Sequence, residues 1–101
     1  MFMNIKIQTV HFDADQKLID FTKKKIEKLT KLYESVVGTE VILKLDKNSN
    51  DENKIAEIKL EIPGNDLFAK RQCKSFEAAI DEVIDALKKQ LTKHKEKQRG
   101  E

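Results

Sequence analysis

Two hydrophobic periods occur in turn along this chain, and their order limits the folds that it can adopt. Apolar residues occupy every second position in three segments, 3–9, 40–46 and 56–62, which predicts three β-strands with one apolar face each. A fourth strand, shorter and more basic, is predicted over 67–73. Because the opposite face of each strand is polar, we expect a sheet that is covered on one face and open to water on the other.

The period changes to that of an amphipathic helix in two places. The first helix begins after Asp13 or Asp15, either of which is a suitable N-cap, and Gly38 is a stop or turn signal beyond its end. The last helix begins after Ser75, which is also a suitable N-cap, and its apolar stripe ends at Leu91. The first stripe consists of Leu18, Thr22, Ile26, Leu29 and Tyr33, and the second of Phe76, Ile80, Val83, Ile84, Leu87 and Leu91.

The element order is therefore β-α-β-β-β-α. The helix between the first two strands allows them to pair in parallel through a right-handed crossover. The later strands are joined by short connections, including a tight turn predicted at 63–66, which favours an antiparallel meander. Two helices on one face of a four-stranded mixed sheet make a two-layer α+β sandwich. We expect residues 1–101 to form one such domain.

Little in the composition points to catalysis or to a membrane. Cys73, the single cysteine, cannot form an internal disulfide and is interpreted as a small buried residue. His11 is interpreted as a loop or edge histidine, and the polar loop at 47–53 lacks the spacing of an EF-hand. Without a Gly-rich phosphate loop, a convergent acid, base or nucleophile, or a signal peptide, we expect a cytoplasmic protein that is not an enzyme. We also expect no cofactor, metal ion or small-molecule substrate.

The position of the charges is more informative than the formal net charge of +2. No Lys or Arg lies between Ser75 and Leu87, whereas residues 88–99 contain Glu96 as their one acid. The last helix thus changes from acidic to basic where its apolar stripe ends. Two other segments are basic: a stripe on the first helix and the residues just before the last helix. Their members are Lys17, Lys24, Lys28 and Lys31, with Lys25 beside them, and Lys70, Arg71 and Lys74.

These basic segments have two interpretations. A lysine stripe is also typical of a solvated helix face, and cations in the last turn of a helix interact favourably with its dipole. If both helices cover one sheet face, however, the three segments could join into one surface. Such a surface would bind phosphates independently of sequence and in a salt-sensitive manner.

Four stretches of this sequence resemble a known family. They are FTKKKIEKL at 21–29, VILKL at 41–45, SFEAAID at 75–81 and KQLTKHKEK at 89–97. Together they are similar to the bacterial ribosome hibernation promoting factor family, also called ribosome-associated inhibitor A, protein Y or sigma-54 modulation protein. The chain resembles the short form of that family, and the resemblance covers essentially its whole length.

The resemblance implies an architecture like that of double-stranded RNA-binding domains and a partner, the small ribosomal subunit. It implies binding to ribosomal RNA in the channel for messenger and transfer RNA, with ribosomes silenced or paired under stress. By position it assigns RNA contacts to Lys25 and Lys28 of the first helix. In the last helix the corresponding residues are Lys89, Lys93, His94, Lys95 and Lys97.

Two positions depart from the family pattern: Glu77 replaces a common Tyr, and Ala86 replaces a common basic residue. We expect Lys70, Arg71 and Lys74 to compensate. Taken with the charge pattern, the residues expected to contact RNA are Lys24, Lys25, Lys28, Lys31, Lys70, Arg71, Lys74, Lys88, Lys89, Lys93, His94, Lys95 and Lys97.

We therefore expect a translation inhibitor that binds the small ribosomal subunit and is monomeric when free. We expect its basic C-terminal segment, about 95–101, to be disordered until RNA is bound. Two alternatives stay open at this point. One is a general double-stranded RNA-binding module, and the other is a regulator that binds a protein away from the ribosome.

Overall fold

The computed structural model describes residues 4–31, 33, 36–47 and 51–99, with side chains as far as Lys93. The elements are β1 (Asn4–Val10), α1 (Gln16–Lys31), β2 (Gly38–Leu45), β3 (Lys54–Ile62), β4 (Asn65–Cys73) and α2 (Phe76–Arg99). The predicted order β-α-β-β-β-α is confirmed. The sheet order is β1-β2-β3-β4, with β1 and β2 parallel and the other pairs antiparallel. The predicted four-stranded mixed sheet in a two-layer α+β fold is therefore confirmed.

Several strand boundaries differ from the prediction by one or two residues, and two of the differences involve a glycine. Asn65 already pairs with Ile62, so only Pro63 and Gly64 form the turn, and β4 begins two residues earlier than expected. Gly64 makes this short reversal possible because it adopts a positive φ of 84°, which costs little without a side chain. Gly38 is not a turn residue but the first residue of β2, where it pairs with Asn4 and Glu61.

Side-chain oxygens cap both helices at the predicted places. The backbone N–H of Leu18 donates to Asp15 Oδ1 at 2.9 Å, so Asp15 rather than Asp13 is the N-cap of α1. The backbone N–H of Ala78 donates to Ser75 Oγ at 3.1 Å, which makes Ser75 the N-cap of α2. These bonds satisfy backbone donors that the first turn of a helix otherwise leaves without partners.

The core lies between the helices and one face of the sheet. Both predicted apolar stripes are confirmed as buried, apart from their ends at Tyr33 and Phe76, which are half-buried and pack against the core. Strand residues at alternate positions, among them Val41, Ile58 and Leu60, form the opposing wall. Leu91, 1% exposed, is the last buried residue of α2 among the described side chains, and Thr92 and Lys93 beside it are exposed. The helix nevertheless continues to Arg99, about 12 Å farther at 1.5 Å per residue.

Candidate nucleic-acid interface

The open face of the sheet is electrically balanced. Its alternate positions carry four lysines and four acids, namely Lys6, Lys44, Lys59, Lys70, Glu40, Glu57, Glu61 and Asp66. Several of them are paired directly: Lys44 Nζ lies 2.9 Å from Glu57 Oε2, and Lys59 Nζ lies 3.5 Å from Glu40 Oε2. A balanced lattice of this kind offers little net attraction to a polyanion. The candidate surface is therefore on the other side of the molecule, on the helices.

Helix α1 carries most of the surplus positive charge, with six lysines and two acids in its 16 residues. Lys24, Lys28 and Lys31 are exposed along one flank, as the predicted stripe requires. Lys25 lies closer to the core and is held in place. Its Nζ is 3.0 Å from Asp81 Oδ1 on α2 and 5.4 Å from the centroid of the Phe21 ring, which is within range of a cation–π contact.

The two helices run in the same direction and form a cleft between them. Lys25 contacts Asp81 near one end, and the Tyr33 hydroxyl lies 3.1 Å from Thr92 Oγ1 near the other, so the contacts advance together along both segments. The cleft has a volume of about 800 Å³. Its walls are charged, and Leu29 and Ile84 add apolar surface to its lining. The charged residues are Lys25, Lys28, Lys31, Asp81, Glu82, Asp85 and Lys88.

Positive charge is concentrated where the two helices approach their C-terminal ends. We call this region the basic end and define it as Lys28 and Lys31 of α1 with Lys88, Lys89 and Lys93 of α2. Lys88, Lys89 and Lys93 also line a second, shallower depression of about 470 Å³. Lys89 Nζ is 3.9 Å from Asp85 Oδ2 in a highly exposed pair, which is weak in water. Across the described ranges, the other four cations of the basic end have no ion-pair partner.

The basic residues before α2 do not join this region. Side chains alternate along a strand, so Lys70 lies on the open sheet face, where its Nζ is 3.9 Å from Glu57 Oε2. Arg71 pairs with Ala56, on the face toward the helices, but close to the start of α2. From there to Lys88 the helix rises about 18 Å. Lys70 therefore does not join a surface shared by both helices, contrary to the expectation. None of the three residues lines the cleft or the second depression, but all three are exposed, and their contacts with RNA stay a prediction.

The outermost predicted residues continue the basic end along the helix. The backbone of α2 is helical at His94, Lys95 and Lys97. Their side chains lie outside the described part of the chain, and their contacts with RNA stay a prediction. Of the two departures from the family pattern, Glu77 is exposed in the first turn of α2, and Ala86 is half-buried against the core.

The acidic lining of the cleft was missed in the sequence. The spacing of Asp81, Asp85 and Lys88 places them on one side of α2, which is a signal that was available. The sequence did not indicate which neighbouring element that side of α2 would face, because a helical period relates residues only to the helix's own buried stripe.

The thiol of Cys73 has no place in a catalytic centre. It is buried, and its Sγ donates to Glu82 Oε2 at 3.0 Å. Burial first, and then the hydrogen bond and negative charge of Glu82, raise the pKa of this thiol to about 11. A thiol with that pKa is a poor nucleophile at neutral pH. Within the described residues, no group of His, Cys, Asp and Glu could hold a metal ion, and no helix is both long and apolar enough to cross a membrane.

Comparison with known sequences points to one family. Residues 5–99 match the family described as "Sigma 54 modulation protein / S30EA ribosomal protein". The chain is 33% identical over 98 residues to the ribosome hibernation promoting factor of Pseudomonas putida, covering 97% of this chain and 92% of that protein. It is 30% identical over 95 residues to the factor of the same name from Escherichia coli K12, covering 94% and 96%.

Comparison with solved structures supports the fold. A ribosomal subunit interface protein from Coxiella burnetii superposes with a TM-score of 0.83 at 22% identity, covering 92% of this chain and 98% of that one. The N-terminal domain of Protein Y from Thermus thermophilus gives a TM-score of 0.76 at 24% identity, covering 91% and 99%. Both similarities extend over nearly the whole chain.

Proposed function

Because this chain belongs to the sigma 54 modulation protein / S30EA ribosomal protein family, which is non-enzymatic, we propose that it is a ribosome hibernation factor. It binds the small ribosomal subunit through ribosomal RNA and prevents translation by occupying the channel of messenger and transfer RNA. It acts as a monomer in the cytoplasm, where ribosomes are. The proposal combines the names of its relatives with the charge distribution of this structure.

The observation that carries the proposal is the basic end. Two helices from different parts of the chain place Lys28, Lys31 and Lys88 along one cleft, and Lys88 shares a second depression with Lys89 and Lys93. Four of them have no ion-pair partner among the described residues, whereas the lysines of the open sheet face are balanced by carboxylates. Free ammonium groups on a rigid frame are suited to phosphates, because each contact releases counterions from the RNA.

The arrangement explains inhibition without catalysis. Phosphate contacts give the protein its position, and the spacing of the two helices determines which folded RNA surface it fits. Inhibition then requires only that the bound domain excludes other occupants of the same channel. The length of α2 supports this mechanism, because its backbone continues to Arg99 through a basic segment that can enter a groove in RNA.

The test is a charge reversal with a matched control. Lys28→Glu/Lys88→Glu changes the basic end, and Lys23→Glu/Lys47→Glu makes the same change in net charge at exposed positions that do not line the cleft. We expect the first variant to lose cosedimentation with purified small ribosomal subunits and to stop inhibiting translation in vitro. The control should retain both properties, and circular dichroism should show that both variants are folded.

Retained cosedimentation of Lys28→Glu/Lys88→Glu would refute the proposed surface. Displacement of the unmodified protein from ribosomes by free duplex RNA would instead favour a general duplex-binding module. Binding that does not change with salt would favour a protein partner, because phosphate contacts are salt-dependent.

A further inference from the structure

The cleft between the helices is charged in opposite senses at its two ends. Toward the start of α2 it is lined by Asp81 and Asp85, and toward the basic end by Lys31 and Lys88. The only cation at the acidic end that the structure shows to be paired across the cleft is Lys25, which is 3.0 Å from Asp81. Lys25 is thus paired with Asp81. The further negative charge of this end comes from Glu82 and from Asp85, whose pair with Lys89 is highly exposed and weak.

The two carboxylates are open to solvent rather than buried. The side chain of Asp81 is 54% exposed and that of Asp85 is 70% exposed, although each is near a lysine. They are four positions apart in the sequence, so they lie about one turn apart on the same side of α2. Their negative potential therefore extends into the cleft and the water above it, in line with the positive potential of the basic end.

We infer that Asp81 and Asp85 determine specificity by confining the RNA backbone to the basic end of the cleft. This inference rests on the proposed function and deepens it. A phosphate that moves along the cleft toward the start of α2 is repelled by like charges. This repulsion weakens the binding of a wrong RNA, or of an RNA in a wrong register, more than it weakens the correct complex. An RNA strand that could lie along the whole cleft is thereby rejected. An RNA surface that presents phosphates only to the basic end is accepted.

The inference predicts that an apparent improvement in charge harms selectivity. In Asp81→Asn/Asp85→Asn, Glu82 is the one acid left among the described residues that line the cleft, and Lys25 is released to bind phosphate. We expect this variant to bind a short, mixed-sequence duplex RNA about three- to tenfold more tightly than the unmodified protein at low salt, with the gain shrinking as salt screens it. Affinity for small ribosomal subunits should change less, so that the ratio of the two affinities falls.

The matched control removes two carboxylates elsewhere. Asp13 and Asp51 are exposed in loops outside the cleft, so Asp13→Asn/Asp51→Asn has the same net charge as the test variant. Duplex affinity is measured by fluorescence anisotropy of labelled RNA. Selectivity is measured by cosedimentation with small subunits in the presence of increasing unlabelled duplex, which should displace the test variant at concentrations that leave the control bound.

Two outcomes overturn the inference: a duplex affinity that does not rise in Asp81→Asn/Asp85→Asn, or one that rises equally in the control. The single variants add a further check, since Asp85→Asn leaves the ion pair of Lys25 in place and should still account for part of the gain. Failure of the unmodified protein to bind small subunits would refute the proposed function instead. The duplex measurements would still decide whether these carboxylates restrict RNA binding.

Discussion

The salt dependence of binding tests the basic end quantitatively. Each phosphate neutralised by a lysine contributes about −0.9 to the slope of log affinity against log salt concentration for a duplex. The basic end has five lysines, Lys28, Lys31, Lys88, Lys89 and Lys93. If all five contact phosphates, the slope is about −4.5, and affinity falls roughly 500-fold between about 50 and 200 mM salt.

The perturbation removes two of these charges while keeping the unbranched side chains. Lys28→Met/Lys88→Met should reduce the magnitude of the slope by about 2, because two contacts are lost. Lys23→Met/Lys47→Met, which alters exposed lysines that do not line the cleft, should leave the slope unchanged. The assay is binding to purified small ribosomal subunits at four or more salt concentrations, with Mg²⁺ held constant so that ribosome structure does not vary.

The slope is more decisive than affinity at one salt concentration. A general loss of stability would weaken binding without changing the number of counterions released. A slope near zero in the unmodified protein would refute phosphate binding as the source of affinity. Equal slopes for the test and control variants would show that Lys28 and Lys88 are not in the interface.

Three further predictions concern the fold. Leu91→Ala should lower the free energy of unfolding by about 2–5 kcal/mol in urea titrations, because this side chain is 1% exposed. Lys93→Ala, a change at a nearby exposed position, should have almost no effect. A cost below about 1 kcal/mol for Leu91→Ala would contradict the packing of α2 on the core at this residue. Ser75→Ala should cost about 1 kcal/mol by loss of the N-cap and lower the melting temperature by about 4–8 °C, and Ser75→Asp should restore most of it, which calorimetry can check. The pKa of Cys73 is raised from 9.0 to about 11, so the folded state favours the protonated thiol. The stabilising contribution of this thiol is therefore complete below pH 9 and is lost as pH rises toward 11. In urea titrations, the free energy of unfolding should fall more between pH 8 and pH 10 for the unmodified protein than for Cys73→Ala, and equal losses would contradict the shift.

The family resemblance and the architecture could both be predicted from the sequence. The change between periods of two and 3.6 predicted the six elements. Residue types that accept hydrogen bonds from a first turn predicted a cap at Ser75 and at either Asp13 or Asp15, and the structure assigns the cap of α1 to Asp15. These signals depend on residues that are close together along the chain, which is why the sequence alone reveals them. The start of β4 was placed two residues too late because the conformation of Gly64, and not composition, decides how short the turn is.

The candidate site was only partly predictable. Lys28 and Lys31 of α1 line one cleft with Lys88 of α2, as expected of two helices that cover the same sheet face. Lys70 was placed with them in error, since its side chain follows the alternation of β4 onto the open face and meets Glu57. The ion pair between Lys25 and Asp81 was not predicted, because the sequence of one helix does not determine how the other helix is rotated about its axis.

The sequence by itself determined which residues are apolar at which period, that each helix begins at a residue suited to capping, and that α2 becomes basic where its apolar stripe ends. These properties depend on neighbours along the chain, within one or two turns. Only the tertiary structure decided that the helices run in the same direction, that carboxylates occupy one end of their cleft, and that lysines converge at the other. The reason is physical: the potential at a surface is the sum over charges that packing brings together, and packing depends on the whole core.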